Sequence, residues 1–178
     1  MQLSLTAAAA NAQNRDYMTD AEIELVRDSQ WIDLRINVLV RMIDRRFAAL
    51  GIAVGGWKES EKDSKIWGEP PAGTRPELFW DIRHLLQKAI DDIDDTYEHP
   101  NVDKSMDPTK KGEKKLSDRF PAAVKDLGKA ARRYLPALKA ELEASKDEKE
   151  VGSISASIEF CEQIIEASEK PANLPGTK

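Results

Sequence analysis

The run TDAEIELVRDSQWIDLRINVLVRMIDRRFAAL, residues 19–50, contains neither glycine nor proline and stops at Gly51. Thr19 followed by Glu22 has the spacing of a capping box, in which each residue satisfies a free amide of the other at a helix start. Leu25, Ile32, Ile36, Leu39, Ile43, Phe47 and Leu50 recur at the intervals of one helical face, and Trp31, Leu34, Val38 and Met42 widen it. Read as a single helix of roughly 30 residues, the run would be about 45 Å long. A rod of that length exposes more apolar surface than a small fold can cover, so the expectation is self-association or docking into a larger assembly.

Three further helices are predicted by the same periodicity, over about 77–98, 118–144 and 146–169. Pro76 sits in the first turn of the second helix with Thr74 as a cap, and Leu78, Ile82, Leu85, Leu86, Ala89, Ile93 and Tyr97 form its buried face. Ser117 is the cap candidate of the third, whose seam is Phe120, Val124, Leu127, Ala131, Tyr134, Leu138 and Leu142. Gly128 and Pro136 interrupt that seam, and Pro136 predicts a kink near Arg132. Ser145 with Glu148 repeats the capping box ahead of the last seam, Val151, Ile154, Ile158, Cys161 and Ile165. No stretch alternates as a strand does. The fold class expected is all-α, a four-helix bundle with one overlong N-terminal helix and two long loops. One helical domain spans residues 19–170, between a flexible arm, 1–18, and a flexible tail, 171–178.

The first loop, residues 51–75, carries Gly55-Gly56, Pro70-Pro71 and two tryptophans, Trp57 and Trp67. Tryptophan in so long a loop has two uses: to pin the loop onto the helices, or to anchor a partner. The second, residues 100–116, is polar and lysine-rich and reads as a flexible linker.

The chain has 178 residues and a net charge of -5, which argues against a wholly basic nucleic-acid binder. Its lone cysteine, Cys161, excludes an internal disulfide and a cysteine-rich zinc site, and fits a reducing, cytoplasmic compartment. The N-terminus lacks the charged start and long apolar core of a secretory signal, and no window is apolar enough to span a membrane.

Charge is unevenly distributed. Between Lys104 and Arg133 there are ten cations against four acids, a local excess of six. Lys125, Lys129 and Arg132 fall on one side of the third helix, preceded by Lys110, Lys111, Lys114 and Lys115 and followed by Arg133. Such a row can track a phosphate backbone without reading bases, or meet an acidic protein surface. Conversely, Asp91-Asp92-Ile93-Asp94-Asp95 contains the Asp-Asp-x-x-Asp pattern with which helical isoprenoid synthases hold magnesium and a diphosphate. Asp91 and Asp95 share a helical face, and carboxylates suit hard divalent cations. They lie opposite the apolar seam, however, and no second acidic string faces them; Glu22, Glu24 and Asp28 are the nearest substitute. His84 and His99 read as a boundary residue and a helix-end residue, and Cys161 as a buried hydrophobe.

Two functions are therefore carried forward. The first is a non-enzymatic helical subunit or adaptor without a cofactor, working as a homo-oligomer or with a protein partner, with Lys110, Lys111, Lys114, Lys115, Lys125, Lys129, Arg132 and Arg133 contacting nucleic-acid backbone or an acidic partner and Trp57 and Trp67 at an interface. The second is a Mg2+- or Mn2+-dependent hydrolase or transferase of diphosphate or nucleotide substrates using Asp91, Asp92 and Asp95.

Overall fold

The computed structural model describes residues 15–100 and 114–174. Six helices follow in order: α1 Asp20–Asp28, α2 Ile32–Ala49, α3 Ser64–Trp67, α4 Arg75–Glu98, α5 Leu116–Ala144 and α6 Glu148–Glu169. The described residues are all-α, with no strand among them. α2 packs on α4 and α5, and α6 packs on the same two helices from the other side, while α1 leans on α2 and α3. The core lies between the four longer helices and contains Ile36, Leu39, Met42, Ile43 and Phe47 from α2, Phe79, Ile82, Leu85 and Leu86 from α4, Tyr134 and Leu138 from α5 and Ile154 and Cys161 from α6.

The single rod expected over residues 19–50 is two helices. The capping box at its start is formed: the Thr19 amide donates to Glu22 Oε2 at 2.9 Å and the Glu22 amide to Thr19 Oγ1 at 3.3 Å. The helix then ends at Asp28, and Trp31 is extended, with φ -82 and ψ 136. Asp28 and Ser29 are residue types whose short polar side chains compete for the backbone, but a distant residue fixes the break. Arg119 of α5 donates to both carboxylate oxygens of Asp33, at 2.8 and 3.0 Å, and its guanidinium lies 4.1 Å from the Trp31 ring centroid. Arg35 Nε closes the corner on the Ser29 carbonyl at 2.9 Å. The surplus apolar surface argued from an unbroken rod is consequently absent: the apolar face of α2 is buried within its own chain, and Leu34, half exposed, is its one large exception.

Other starts and ends shift for similar reasons. At α4, Thr74 donates from its amide and hydroxyl to Glu77 Oε2, at 2.7 and 2.8 Å. α5 starts after Lys115, not at Ser117, and continues through Pro121 and Pro136. α6 is capped by Asp147, which accepts from the Lys149 amide at 2.9 Å; the expected cap, Ser145, instead donates to Glu150 at 2.8 Å. Two segments expected to be flexible are held where they are described. Arg15 is fixed to α4 through Asp81, the Tyr17 carbonyl accepts from Arg46 of α2, and Leu174 is buried against Phe120 and Val124. Residues 1–14 of the expected arm, 175–178 of the tail, and 101–113 of the lysine-rich linker, with Lys110 and Lys111, lie outside the described residues.

Gly128 marks the close approach of α5 to α6. A Cβ there would lie 2.4 Å from Ser168 Cβ. Gly128→Ala is expected to destabilise by about 1–3 kcal/mol through that overlap, outweighing the ~1 kcal/mol gain in helix propensity. Urea denaturation checks this, and pairing it with Ser168→Gly is expected to recover most of the loss.

Candidate functional site

The densest chemistry in the fold is a set of charged side chains that the sequence hides inside an apolar helix. In α2 the stretch Met42–Ile43–Asp44–Arg45–Arg46–Phe47 is buried at all six positions. Glu22, itself fully buried, accepts from Arg45 Nη1 at 2.7 Å, from Arg46 Nη2 at 2.7 Å and from Arg46 Nη1. Arg45 also reaches Glu59 at 2.9 Å and the Glu69 carbonyl at 2.8 Å; Arg46 reaches the Tyr17 carbonyl at 2.7 Å. Burial alone would raise the Glu22 carboxyl, but Arg46, the Thr19 amide and Arg45 outweigh it and hold Glu22 below its usual range.

Asp81 of α4 completes the set. Arg15 grips it with two bonds, at 2.6 and 3.1 Å, and donates to the Ala72 carbonyl at 2.8 Å; Arg46 Nε lies 3.6 Å from Asp81. Beside this clamp, Tyr17 meets the rings of Trp80 and His84 at 6.2 and 5.5 Å. Burial, reinforced by Glu22, pushes Asp81 up from 3.8 to about 6 against the pull of Arg15 and Arg46. A folded-state value above the unfolded one means that the native state holds the extra proton between those values. Asp81's contribution to stability is therefore expected to fall as pH rises from about 4 to about 6, by no more than about 1.4 kcal/mol per pH unit. Urea titrations of wild type and Asp81→Asn across that window check the sign: the variant should lack this slope.

A second lock ties the first loop down. Asp44 accepts from the Tyr134 hydroxyl at 2.7 Å, from Arg133 Nη1 at 3.1 Å and from the Trp57 amide at 3.1 Å. Arg133 continues to the Gly55 carbonyl at 2.7 Å and packs so closely on Gly56, whose φ is +87, that a Cβ there would overlap it. Trp57 and Trp67 meet with ring centroids 5.0 Å apart and planes tilted by 41°, with Arg41 over the first and Arg45 over the second. Trp67 is buried, at 3 % exposure, which removes it as a partner anchor; Trp57 is half-buried. A crevice of about 230 Å³ lies beside Trp57, Pro70 and Pro71, but Asp44, Arg45 and Glu59 on its wall are already bonded within the chain.

Three of the six described members of the predicted basic row are paired within the chain. Arg133 points into the loop lock, Arg132 pairs with Glu169 at 3.1 Å and Lys129 with Asp126 at 2.8 Å. Lys114, Lys115 and Lys125 are exposed and make no ion pair among the described residues. The acidic string is also dispersed. Asp91 is exposed and accepts from Gln87 at 2.8 Å, Asp95 is exposed and bonds His99 at 3.1 Å, and Asp92 turns to Lys88 at 3.2 Å and Arg35 at 3.9 Å. Among the described residues no three His, Cys, Asp or Glu side chains converge to hold a metal ion. The substitute second motif does not serve, since Glu22 is enclosed by arginines and Glu24 pairs with Arg27 at 2.8 Å. His84 Nδ1 is bonded to the Trp80 carbonyl at 2.8 Å. Cys161 is fully buried, and burial with Glu162 nearby pushes its thiol up to about 12, so it is no thiolate nucleophile at neutral pH.

Among the described residues, a larger groove opens where the C-terminal ends of α4 and α6 meet the start of α5. It has a volume of about 360 Å³ and is walled by Ile93, Tyr97, Phe120, Val124 and Ala167, with Asp94 and Glu166 at its lip. A smaller cleft of about 60 Å³ runs on from it between Ile90, Leu127 and Ile164.

The periodicity missed the buried charges because it scored apolar residues alone. A signal was present: Arg46 lies on the line of Leu39, Ile43 and Leu50, at helical spacings of three and four, where a solvated arginine does not belong. Nothing comparable in the sequence marked the groove, which is made by three helices meeting.

Compared with protein-family models, with curated proteins and with solved structures, the chain gives no significant match.

Proposed function

We propose that this chain is a non-enzymatic helical docking module that works through a protein partner. The observation that carries the reading is the contrast between its two kinds of chemistry. The strongly interacting charges, Glu22, Arg45, Arg46, Asp81 and Asp44, are turned inward and bonded to one another, as structural locks are. The largest concave surface among the described residues has an apolar floor, with Asp94, Gln163, Glu166 and Lys170 around it, and no three of its carboxylates converge. The support differs from that expected of an overlong rod, since the rod is folded back on itself.

For the phosphate-backbone version, Lys114, Lys115 and Lys125 are unpaired among the described residues, while Lys129, Arg132 and Arg133 already have acidic partners in the chain. Metal-dependent chemistry at Asp91, Asp92 and Asp95 lacks the facing carboxylates such a centre needs. No described helix is long and apolar enough to cross a membrane.

The test is purification of the native chain under mild conditions, followed by native mass and the ultraviolet absorbance ratio. A stoichiometric protein partner with a protein-like ratio is the expected result. Co-purifying nucleic acid that leaves at raised salt would overturn it in favour of the phosphate version. A Mg2+ or Mn2+ binding heat in calorimetry that disappears in Asp91→Ala/Asp95→Ala would overturn it in favour of the enzyme.

A further inference from the structure

We infer that the groove between α4, α5 and α6 docks a basic amphipathic segment of the partner protein, with an apolar side chain of that segment seated over Val124 and Ala167 and a lysine or arginine beside Asp94. The inference rests on the docking reading above and names its surface and its partner chemistry.

Three observations favour this occupant. The groove is deep enough to take a side chain, because its floor opens into the cleft between Ile90, Leu127 and Ile164. Leu174 supplies an intramolecular precedent: this apolar residue of a non-helical segment packs on Phe120 and Val124, the same wall. Tyr97, at 47 % exposure and 6.2 Å from Phe120, extends that wall outward as an aromatic rim of the kind that anchors interfaces.

Charge selects the sign of the partner. Asp94 lines both the groove and the cleft, yet no described residue donates a hydrogen bond to it or pairs with it. Asp91 and Glu98 flank it at three and four residues on the same helical face, where like charges repel. Burial first, and those two neighbours next, raise its carboxyl above the usual value. The last turn of α4 contains no basic residue to offset the negative end of the helix dipole. On the opposite lip, Lys170 is taken up by Glu166 at 2.7 Å. The groove therefore presents an exposed carboxylate without an ion-pair partner beside an apolar floor, which a cation flanking an apolar anchor can pair with and a phosphate backbone would meet as a like charge.

The experiment uses the purified full chain and two labelled synthetic peptides of about 15 residues, one leucine/lysine and one leucine/glutamate in the same amphipathic pattern, read by fluorescence anisotropy at low and raised salt. The leucine/lysine peptide is expected to bind, more weakly as salt rises, and the leucine/glutamate peptide to bind at least roughly tenfold more weakly. Ala167→Trp fills the groove mouth from an exposed position and is expected to reduce binding roughly tenfold or more. Asp94→Asn with Glu98→Gln should reduce it by a smaller factor and flatten the salt dependence. Ile66→Ser, on exposed α3, should leave binding unchanged, with circular dichroism verifying every fold. Equal binding of both peptides, or binding untouched by Ala167→Trp, overturns the inference. So does a concentration-dependent dimer of wild type that Asp94→Asn/Glu98→Gln dissolves, because the occupant would then be a second copy. A native partner recovered without peptide binding sinks this inference alone; no partner at all sinks the docking reading beneath it.

Discussion

Glu22→Ala is expected to lower the free energy of unfolding by about 3–5 kcal/mol, the range found when one member of a buried charge set is removed and its partners are left uncompensated. The reason is geometric. Glu22 is the shared acceptor of two guanidinium groups that are 3 % and 1 % exposed, so its loss takes the nearest carboxylate from both. Arg45 retains Glu59, but Arg46 is left with backbone carbonyls and Asp81 at 3.6 Å. In a chain of this size, each kcal/mol corresponds to roughly 2–4 °C in Tm, so a fall of roughly 6–20 °C should be visible by calorimetry. Replacing the whole set by apolar residues, Glu22→Leu with Arg45→Met and Arg46→Met, is expected to cost less than the single change, because no charge is then left unpaired. A single-variant loss below about 1 kcal/mol would mean that water reaches the arginines.

Asp44→Ala is expected to cost about 3 kcal/mol and, unlike Glu22→Ala, to loosen a particular segment. Three donors converge on Asp44: the Tyr134 hydroxyl, Arg133 and the Trp57 amide. Without the carboxylate, Arg133 no longer has an acid to hold it against the Val54 and Gly55 carbonyls. Amide exchange should accelerate at residues 54–57 and Trp57 fluorescence should shift to the red, while exchange in α6 stays slow. Tyr134→Phe is the milder control. It removes one hydrogen bond, leaves the other two donors in place, and should cost about 1 kcal/mol. The burial of Tyr134 and the nearby Asp44 hold its phenol well above its usual value, so neither variant should introduce a new titration near neutral pH.

The two locks have a common consequence for function. They fasten the segment at Arg15 and Tyr17, α1 and the first loop to the bundle, and Arg119 with Arg35 separately fixes the corner at residues 29–31, so the half of the molecule around α1, α2 and α3 is cross-tied by charge. Where α4, α5 and α6 meet at the groove, Phe120, Val124 and Leu174 pack together, Arg132 ties α5 to Glu169 of α6, and Asp94 is exposed without an ion-pair partner. A groove already formed between three packed helices suits the docking proposal, since preorganisation avoids part of the ordering cost of binding.

Periodicity and end signals along the chain were sufficient for the all-α class and for the presence of the helices at α4, α5 and α6, because a helix is closed by bonds between residues three and four apart. The capping pair Thr19 and Glu22 was legible on the same ground. The break at residues 29–31 was not, because what stabilises it is Arg119, 86 positions from Asp33. Nor was the burial of Arg45 and Arg46, whose counterion Glu22 lies 23 and 24 residues away, about 35 Å along an unbroken helix. That contact exists only once the corner has folded α1 back beside α2. The same non-local pairing drew Arg132 and Arg133 out of the predicted basic row, and the meeting of three helix ends made the groove. Charge pairing and helix convergence leave no period in a sequence, so only the assembled fold decides which charged residues face inward and which surface remains to be filled.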